Sequence, residues 1–195
     1  MVDPPTRRET GPMHPVTKPE LRHRLRVARR AHVQALGATR ISLEQALAPM
    51  VAALVNGEGP VASYAARGPE IDPRWIGNGR LLAFPRVTPH GLEFHTAARA
   101  GLQPGYSRIA EPTDAMPRVR PRLLLVPLLA ATHDGTRLGQ GGGYYDRAIL
   151  SLRQSGQLTT IGIAWDVQLV ASLPADPWDE RLDWIATPTR LVECA

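Results

Sequence analysis

The segment Arg-Leu-Gly-Gln-Gly-Gly-Gly-Tyr-Tyr-Asp-Arg, residues 137 to 147, constrains this chain more than any other. Its glycines allow positive φ angles and bring bare backbone N–H groups close to an anion. A helix that begins here adds the positive end of its dipole. The segment predicts a polyphosphate site in which Asp146 holds a metal ion and Arg147 binds phosphate oxygens. The glycines are Gly139, Gly141, Gly142 and Gly143.

Two familiar phosphate-binding motifs do not fit this segment. The P-loop requires Lys and then Ser or Thr after its last glycine, and here Tyr144 and Tyr145 follow. The dinucleotide fingerprint requires a third glycine where Tyr144 stands, and the fingerprint must also follow a strand directly. A flexible loop or a glycine helix cap is the structural alternative for an isolated glycine cluster, but the attached Tyr-Tyr-Asp-Arg favours a binding site.

Composition limits the class of protein. At 195 residues and 43% hydrophobic, the chain is expected to form one domain over residues 18–195, after a disordered, proline-rich tail at residues 1–17. A single cysteine, Cys194, excludes an internal disulfide and a cysteine-based zinc site, which fits a cytoplasmic protein. The longest apolar stretch, 123–131, is too short to span a bilayer. The net charge of +5 favours anionic partners: nucleotides, polyglutamylated small molecules or nucleic acid.

The order of predicted elements indicates the fold class. Thr17 and Glu20 form a capping box that starts a helix at Lys18, and a second helix runs from about residue 42 to 55. Apolar strands and a helix near 144–152 then alternate, which predicts a Rossmann-like α/β domain: an open, mostly parallel sheet with helices on both faces. Ligands of such sheets lie beyond the carboxyl ends of the strands. The predicted strands are 61–66, 81–84 (ended by Pro85), 92–97 (antiparallel or edge), 123–127, 160–165 and 183–187.

The first predicted helix carries a stripe of cations. Lys18, Arg22, Arg26 and Arg29 or Arg30 recur every three or four residues, so they lie on one side of the helix. Leu21, Leu25, Ala28, His32 and Leu36 are predicted to form its inner face. Most such stripes are solvated, but of 23 basic residues only Lys18 is a lysine, which suggests that a compact ammonium group is needed there.

Several motifs in order resemble the 5-formyltetrahydrofolate cyclo-ligase family. The family signature Arg-Leu-Gly-x-Gly-x-Gly-Tyr-Tyr-Asp is complete at 137–146, and its Lys-x-x-Leu-Arg motif stands at 18–22. The family's acidic loop corresponds to Glu70-Ile71-Asp72, and its Glu-Pro to residues 111–112. Ala-Trp-x-x-Gln at 164–168, Leu-Pro at 173–174 and Asp179 repeat the closing segment. The likeness runs from about residue 18 to the end of the chain, and it implies a fold of the CoA-transferase-like kind.

The resemblance implies an ATP-dependent and Mg²⁺-dependent ring closure of 5-formyltetrahydrofolate to 5,10-methenyltetrahydrofolate. The formyl oxygen attacks the γ-phosphate, and N10 then displaces phosphate from the resulting N5-iminium phosphate. The implied catalytic residues are Lys18, Tyr144 and Arg147, and the implied metal ligands are Asp146 and Asp179. The implied ATP site is Lys18, Arg22, Arg137, Gly139, Gly141, Gly142, Gly143 and Tyr145. The implied folate site is Ala65, Glu70, Gln140, Gly141, Gly142, Gly143 and Tyr144.

Two other functions remain open from the sequence. A catalytically silent relative that senses folate or nucleotide is expected to lack Lys18, Asp146 or Asp179, and all three are present. A basic nucleic-acid-binding module fits the charge, but the chain has no aromatic platform for RNA and no DNA-reading motif. We therefore expect a cytoplasmic monomer that acts on a folate, including polyglutamylated forms, and that binds neither nucleic acid nor membrane.

Overall fold

A computed structural model describes residues 17–57, 59–77 and 79–195. The predicted disordered tail lies outside the described residues except for Thr17, which caps the first helix. The Thr17 side chain accepts a hydrogen bond from the backbone N–H of Glu20, and the Glu20 carboxylate accepts one from the backbone N–H of Thr17. The predicted capping box is therefore confirmed, and it fixes where the first helix begins.

The elements follow one another in an α/β order. The helices are α1 (Lys18–Leu36), α2 (Arg40–Val55) and α3 (Tyr144–Gln154). The strands are β1 (Val61–Ala62), β2 (Leu82–Thr88), β3 (Gly91–Ala97), β4 (Gln103–Pro104), β5 (Ala110–Glu111), β6 (Leu123–Pro127), β7 (Ala130–Ala131), β8 (Arg137–Leu138), β9 (Thr159–Ile163), β10 (Trp184–Ala186) and β11 (Leu191–Glu193).

Seven of the strands form one sheet in the order β11-β10-β9-β6-β1-β2-β3. The five inner strands are parallel, and an antiparallel strand closes each edge. The predicted open, mostly parallel sheet is confirmed, as is the antiparallel edge strand expected at residues 92–97. The missed edge strand, β11, is three residues long, and a strand that short gives almost no periodic signal.

The sheet separates two hydrophobic cores. Leu47, Val51 and Val55 of α2 pack on one face, and Ala148 and Ile149 of α3 pack on the other. Successive residues of β6 alternate between the cores, as side chains of a strand must. Helices therefore cover both faces, as predicted, and the central strands are buried throughout.

Three predictions of local structure were wrong. The first strand ends at Ala62 and does not continue to residue 66. The second strand does not end at Pro85 but continues to Thr88, because β1 pairs with β2 only at Ala83 and beyond it proline faces a single neighbouring strand. Ala28 of α1 is exposed, and Arg29 is buried in its place. The other residues of the predicted inner face, Leu21, Leu25, His32 and Leu36, are half-buried, so only the Ala28 position departs from the prediction.

The glycine-rich segment joins a small hairpin to α3. Strand β8 contains Arg137 and Leu138 and pairs with β7, although no strand is predicted at either place. The chain then takes positive φ at Gly141 (106°) and Gly143 (63°), and α3 begins at Tyr144 as predicted. Positive φ at two of the five positions 139–143 explains why glycine is needed here. None of the helices in the described ranges combines the length and the apolar character required to cross a bilayer.

Candidate functional site

A cavity of about 880 Å³ opens beyond the carboxyl ends of the central strands. Its wall combines the cationic side of α1, the loop after β1, the glycine-rich segment and residues 176–179. These four segments are far apart in sequence, and the crossovers of a parallel sheet bring them to one edge. Every predicted site residue except Arg147 contributes to this wall.

The arginines of α1 bind the glycine-rich segment through its carbonyl groups. The Nε of Arg22 donates to the Gly139 carbonyl at 3.0 Å, and Arg26 donates to the side chain and the carbonyl of Gln140 at 3.0 and 3.3 Å. A Cβ at Gly141 would come within 3.4 Å of the Arg22 guanidinium. These contacts hold the loop against α1 and gather positive charge where an anion would meet the backbone N–H groups.

Lys18 joins the start of α1 to the loop that contains Asp179. Its Nζ lies 2.6 Å from Asp176 Oδ2 and 2.6 Å from Asp179 Oδ2. Asp179 Oδ2 also accepts the backbone N–H of Asp176 at 2.8 Å, which holds the loop in shape. The structure thus brings together the lysine, the aspartate and the glycine-rich segment on which the predicted triphosphate site depends.

The ion pair shifts the pKa values of both groups. Burial acts against each charge, but hydrogen bonds and charge attraction outweigh it, so the pKa of Lys18 is raised above 10.5 and the pKa of Asp179 is lowered below 3.8. The contribution of Asp179 to stability is present above its unfolded pKa and is lost as the pH falls through its folded pKa. That of Lys18 is present below its unfolded pKa and is lost as the pH rises through its folded pKa.

This linkage predicts that Asp179→Asn loses less stability in acid than the wild type does. The wild-type carboxylate must be protonated as the pH falls below about 4, whereas the amide does not titrate. Midpoints of urea unfolding, measured from about pH 6 down to about pH 2.5, test the difference. Asp114→Asn is the control, since Asp114 is 82% exposed and an exposed pair contributes little. Parallel curves for Asp179→Asn and the wild type would contradict the prediction.

Arg137 and Asp146 form a second, more buried pair. Arg137 Nη2 lies 2.6 Å from Asp146 Oδ1, and Arg137 Nη1 donates to the Glu180 carbonyl. The Glu180 N–H donates to the same Asp146 oxygen at 3.2 Å. Burial lowers the pKa of Arg137, whose side chain is only 4% exposed. Arg137 therefore fixes Asp146 in the cavity wall, and its predicted contact with ATP stays a prediction.

The two predicted metal ligands are compatible with a Mg²⁺ ion that binds together with a nucleotide. Asp146 and Asp179 line the same cavity, and each carboxylate is paired with a cation. Across the described ranges, no three His, Cys, Asp or Glu side chains gather into a metal site. Mg²⁺ at nucleotide sites commonly takes only one or two carboxylates, with phosphates and waters completing its shell. The donor set is therefore compatible with Mg²⁺ carried by a triphosphate.

The cavity wall also carries a carboxylate and aromatic rings. Glu70 follows β1, and its Oε2 accepts the backbone N–H of Arg67 at 2.9 Å. Tyr144 lies edge-on to Tyr106, with 5.8 Å between ring centroids, and the neighbouring Tyr106 side chain is the main cause that raises the pKa of Tyr144. Ala65 lies in the wall beside them. These residues offer a hydrogen-bond acceptor and flat apolar surfaces, as a heteroaromatic ring requires.

Arg147 and Tyr145 differ in how they lie relative to the cavity. Arg147 is exposed outside the cavity wall, where its guanidinium lies 5.2 Å from the Tyr144 ring centroid and donates to the Gly142 carbonyl at 3.3 Å. The structure therefore does not place Arg147 in the cavity wall, and its predicted catalytic contact stays a prediction. Tyr145 lines the cavity but packs mainly against the α3 core, and burial raises its pKa.

Several wall residues were not singled out from the sequence. Tyr106 stands on a hairpin tip where Ser107 and Arg108 both take positive φ, 51° and 61°, which is costly for residues with a side chain. Trp178 is 70% exposed at the cavity, between the two aspartates bound by Lys18. No periodic signal marks either residue, and strain at Ser107 and Arg108 appears only in the folded backbone.

Comparison with known proteins gives one consistent result. A family model described as the 5-formyltetrahydrofolate cyclo-ligase family matches residues 15–188. A protein of that name from Escherichia coli K12 is 40% identical over 80 residues, which are 41% of this chain and 43% of that protein. The relative from Mycoplasma genitalium is 52% identical over 60 residues, 31% of this chain and 34% of that protein. These matches span less than half the length of the curated relatives.

Solved structures cover more of the chain. The 5,10-methenyltetrahydrofolate synthetase of Aquifex aeolicus superposes with a TM-score of 0.71 at 27% identity, covering 89% of this chain and 92% of that one. The enzyme of the same name from Mycoplasma pneumoniae gives a TM-score of 0.66 at 23% identity, covering 89% and 99%. The second likeness supports the fold alone, and both agree with the sheet described above.

Proposed function

Since the chain belongs to the 5-formyltetrahydrofolate cyclo-ligase family, we propose that it uses ATP to close the ring of 5-formyltetrahydrofolate. The products are 5,10-methenyltetrahydrofolate, ADP and phosphate. The observation that carries the proposal is the shared cavity wall: it offers cations and backbone N–H groups for phosphates, together with Glu70 and Tyr144 for a flat ring. A reaction that joins a triphosphate to a pteridine requires both in one space.

The proposed reaction has two steps that balance without an oxidant. The formyl oxygen attacks the γ-phosphorus, the bond to ADP breaks, and an N5-iminium phosphate forms. N10 then attacks the former formyl carbon and loses its proton, and the carbon–oxygen bond breaks to release phosphate. Phosphoryl transfer depends mainly on alignment and charge neutralisation, so the protein needs no covalent role.

The proposed phosphate contacts follow from the charges of the wall. Lys18 exchanges part of its contact with two aspartates for a phosphate oxygen, and Arg22 lies beside it on the adjacent turn of α1. Backbone N–H groups of the glycine-rich segment and the start of α3 face the same anion. Asp146 and Asp179 would hold Mg²⁺, which when bound neutralises negative charge on the phosphates.

The proposed folate contacts use other residues of the wall. The Glu70 carboxylate accepts hydrogen bonds from adjacent ring donors of the pteridine, and Tyr144 contacts the ring and the phosphorylated formyl group. The exposed arginines at the cavity suit a glutamate or polyglutamate tail, because guanidinium groups bind carboxylates in a bidentate manner. These arginines are Arg26, Arg30 and Arg67.

An absorbance assay for the methenyl product tests the function. Purified protein with 5-formyltetrahydrofolate, ATP and Mg²⁺ is expected to form product, and omission of either ATP or Mg²⁺ is expected to abolish it. Binding of folate and ATP without product would favour a silent relative. Retention on nucleic acid without binding either substrate would favour the basic module. Size-exclusion chromatography of the same sample tests the proposed monomer, and the proposed cytoplasmic location is tested by fractionation.

A further inference from the structure

Arg29 is a buried arginine with few partners. It is 4% exposed although it lies on a helix otherwise dominated by half-exposed and exposed side chains. Its Nη1 donates to the Leu128 carbonyl at 3.1 Å, and its buried Nε has no hydrogen-bond partner within the described chain. The same side chain contributes to the wall of the cavity. A guanidinium has five N–H donors, so most of its capacity is unused.

An under-bonded buried cation is costly to the fold. Taking a guanidinium out of water is costly, and the cost is offset only by close pairing and hydrogen bonds. The nearest carboxylate oxygen in an ion pair with it, Glu70 Oε1, is 3.9 Å from Nη1, which is longer than a hydrogen bond. Burial also lowers the pKa of Arg29. Stability alone therefore does not explain this arginine, and a ligand acceptor does.

Glu70 and Arg29 present complementary groups side by side. The carboxylate accepts hydrogen bonds, and it is held in place by the Arg67 backbone N–H. The guanidinium donates, and it is held by the Leu128 carbonyl. A pteridine with a 4-oxo group presents along one edge a 2-amino donor, an N3–H donor and then the 4-oxo acceptor. The Glu70 acceptor and the neighbouring Arg29 donor therefore match the donors and the 4-oxo acceptor of this edge in the same order.

We propose that Arg29 recognises the 4-oxo group of the pteridine whose neighbouring N–H donors bind Glu70. The inference deepens the proposed function and depends on it, because it requires a pteridine on Glu70. A 4-amino pteridine presents a donor at the position where the guanidinium also donates, and its N3 carries no hydrogen for Glu70. Arg29 therefore selects 4-oxo over 4-amino rings, and it does so by leaving a buried donor unpaired when the wrong ring binds.

A 4-oxo ligand and its 4-amino analogue test this selection. The probes are 5-formyltetrahydrofolate and its 4-amino analogue, and binding to the full-length protein is measured by calorimetry without ATP. In the wild type, Arg29 is expected to contribute about tenfold or more to the preference for the 4-oxo probe, as a hydrogen bond to a charged group supplies. In Arg29→Met the preference is expected to fall by about that factor, mainly through weaker binding of the 4-oxo probe, and the part that Glu70 contributes through the N3 hydrogen is expected to remain.

Controls separate recognition from a structural role. Arg24→Met removes the same charge from an exposed position on the same helix outside the cavity wall, and it is expected to keep the wild-type preference. Arg29→Lys serves if the methionine variant does not fold, because it keeps the charge but shortens the reach, and it is expected to lose most of the preference that depends on Arg29. An Arg29 variant that weakens both probes equally would overturn the inference. If the wild type binds neither probe, the proposed function itself fails.

Discussion

Replacing Lys18 with alanine is expected to lower kcat/KM for ATP by about a hundredfold or more, which is typical of lost charge contacts in a transition state. The ammonium lies 2.6 Å from each of two aspartates at the cavity, so its removal also leaves two carboxylates close together without a cation. The field at the phosphates becomes less positive on both counts. We therefore expect a large loss of turnover with a smaller change in the KM for folate.

The effect of Lys18→Ala is measured by steady-state formation of methenyl product at varied ATP. Arg24→Ala is the matched control, because Arg24 is an exposed cation on the same helix and outside the cavity wall. It is expected to keep near wild-type rates. Circular dichroism of both variants checks that α1 is intact. Wild-type kcat/KM for ATP in Lys18→Ala would remove the lysine from the proposed phosphate site.

Replacing Asp146 with asparagine is also expected to cost about a hundredfold or more in kcat, together with a higher Mg²⁺ requirement. The amide is a weaker ligand for Mg²⁺ than the carboxylate. The change also removes the partner of the buried Arg137, with which Asp146 forms a 2.6 Å ion pair. An uncompensated buried charge costs about 3–5 kcal/mol, so thermal stability is expected to fall as well.

Two measurements separate these effects of Asp146→Asn. Activity is titrated with Mg²⁺ well below the melting temperature, and stability is measured by thermal melting without substrates. Glu180→Gln is the control, because it makes the same carboxylate-to-amide change in a side chain that pairs with Arg153 at 2.7 Å outside the cavity wall. It is expected to lower stability without altering the Mg²⁺ titration. An unchanged Mg²⁺ titration in Asp146→Asn would refute the metal assignment.

Much of the fold could be predicted because its signals are local. Apolar runs such as 123–127 predict buried parallel strands, and the capping box at Thr17 fixes the start of α1. The short strands β7, β8 and β11 could not be predicted, because two or three residues carry no period. Pro85 was misleading, since its tolerance depends on which neighbours the strand has at that point.

The site was only partly predictable, for a different reason. Residues of the glycine-rich segment and Lys18 carry a type and spacing that indicate phosphate chemistry on their own. The burial of Arg29 and the positions of Tyr106 and Trp178 depend on tertiary packing, which adjacent residues do not report. The ion pair between Arg137 and Asp146 likewise depends on the fold, and the sequence alone does not predict it.

The bonds from Lys18 to Asp176 and Asp179 connect positions 158 and 161 residues apart in the chain. A contact of such long sequence separation forms only after nearly the entire domain has been synthesised and has collapsed. Nascent chains that have not reached Asp179 therefore lack this connection. Nucleotide bound at the proposed site would link the beginning and the end of the domain, so saturating ligand is expected to protect the whole domain against unfolding.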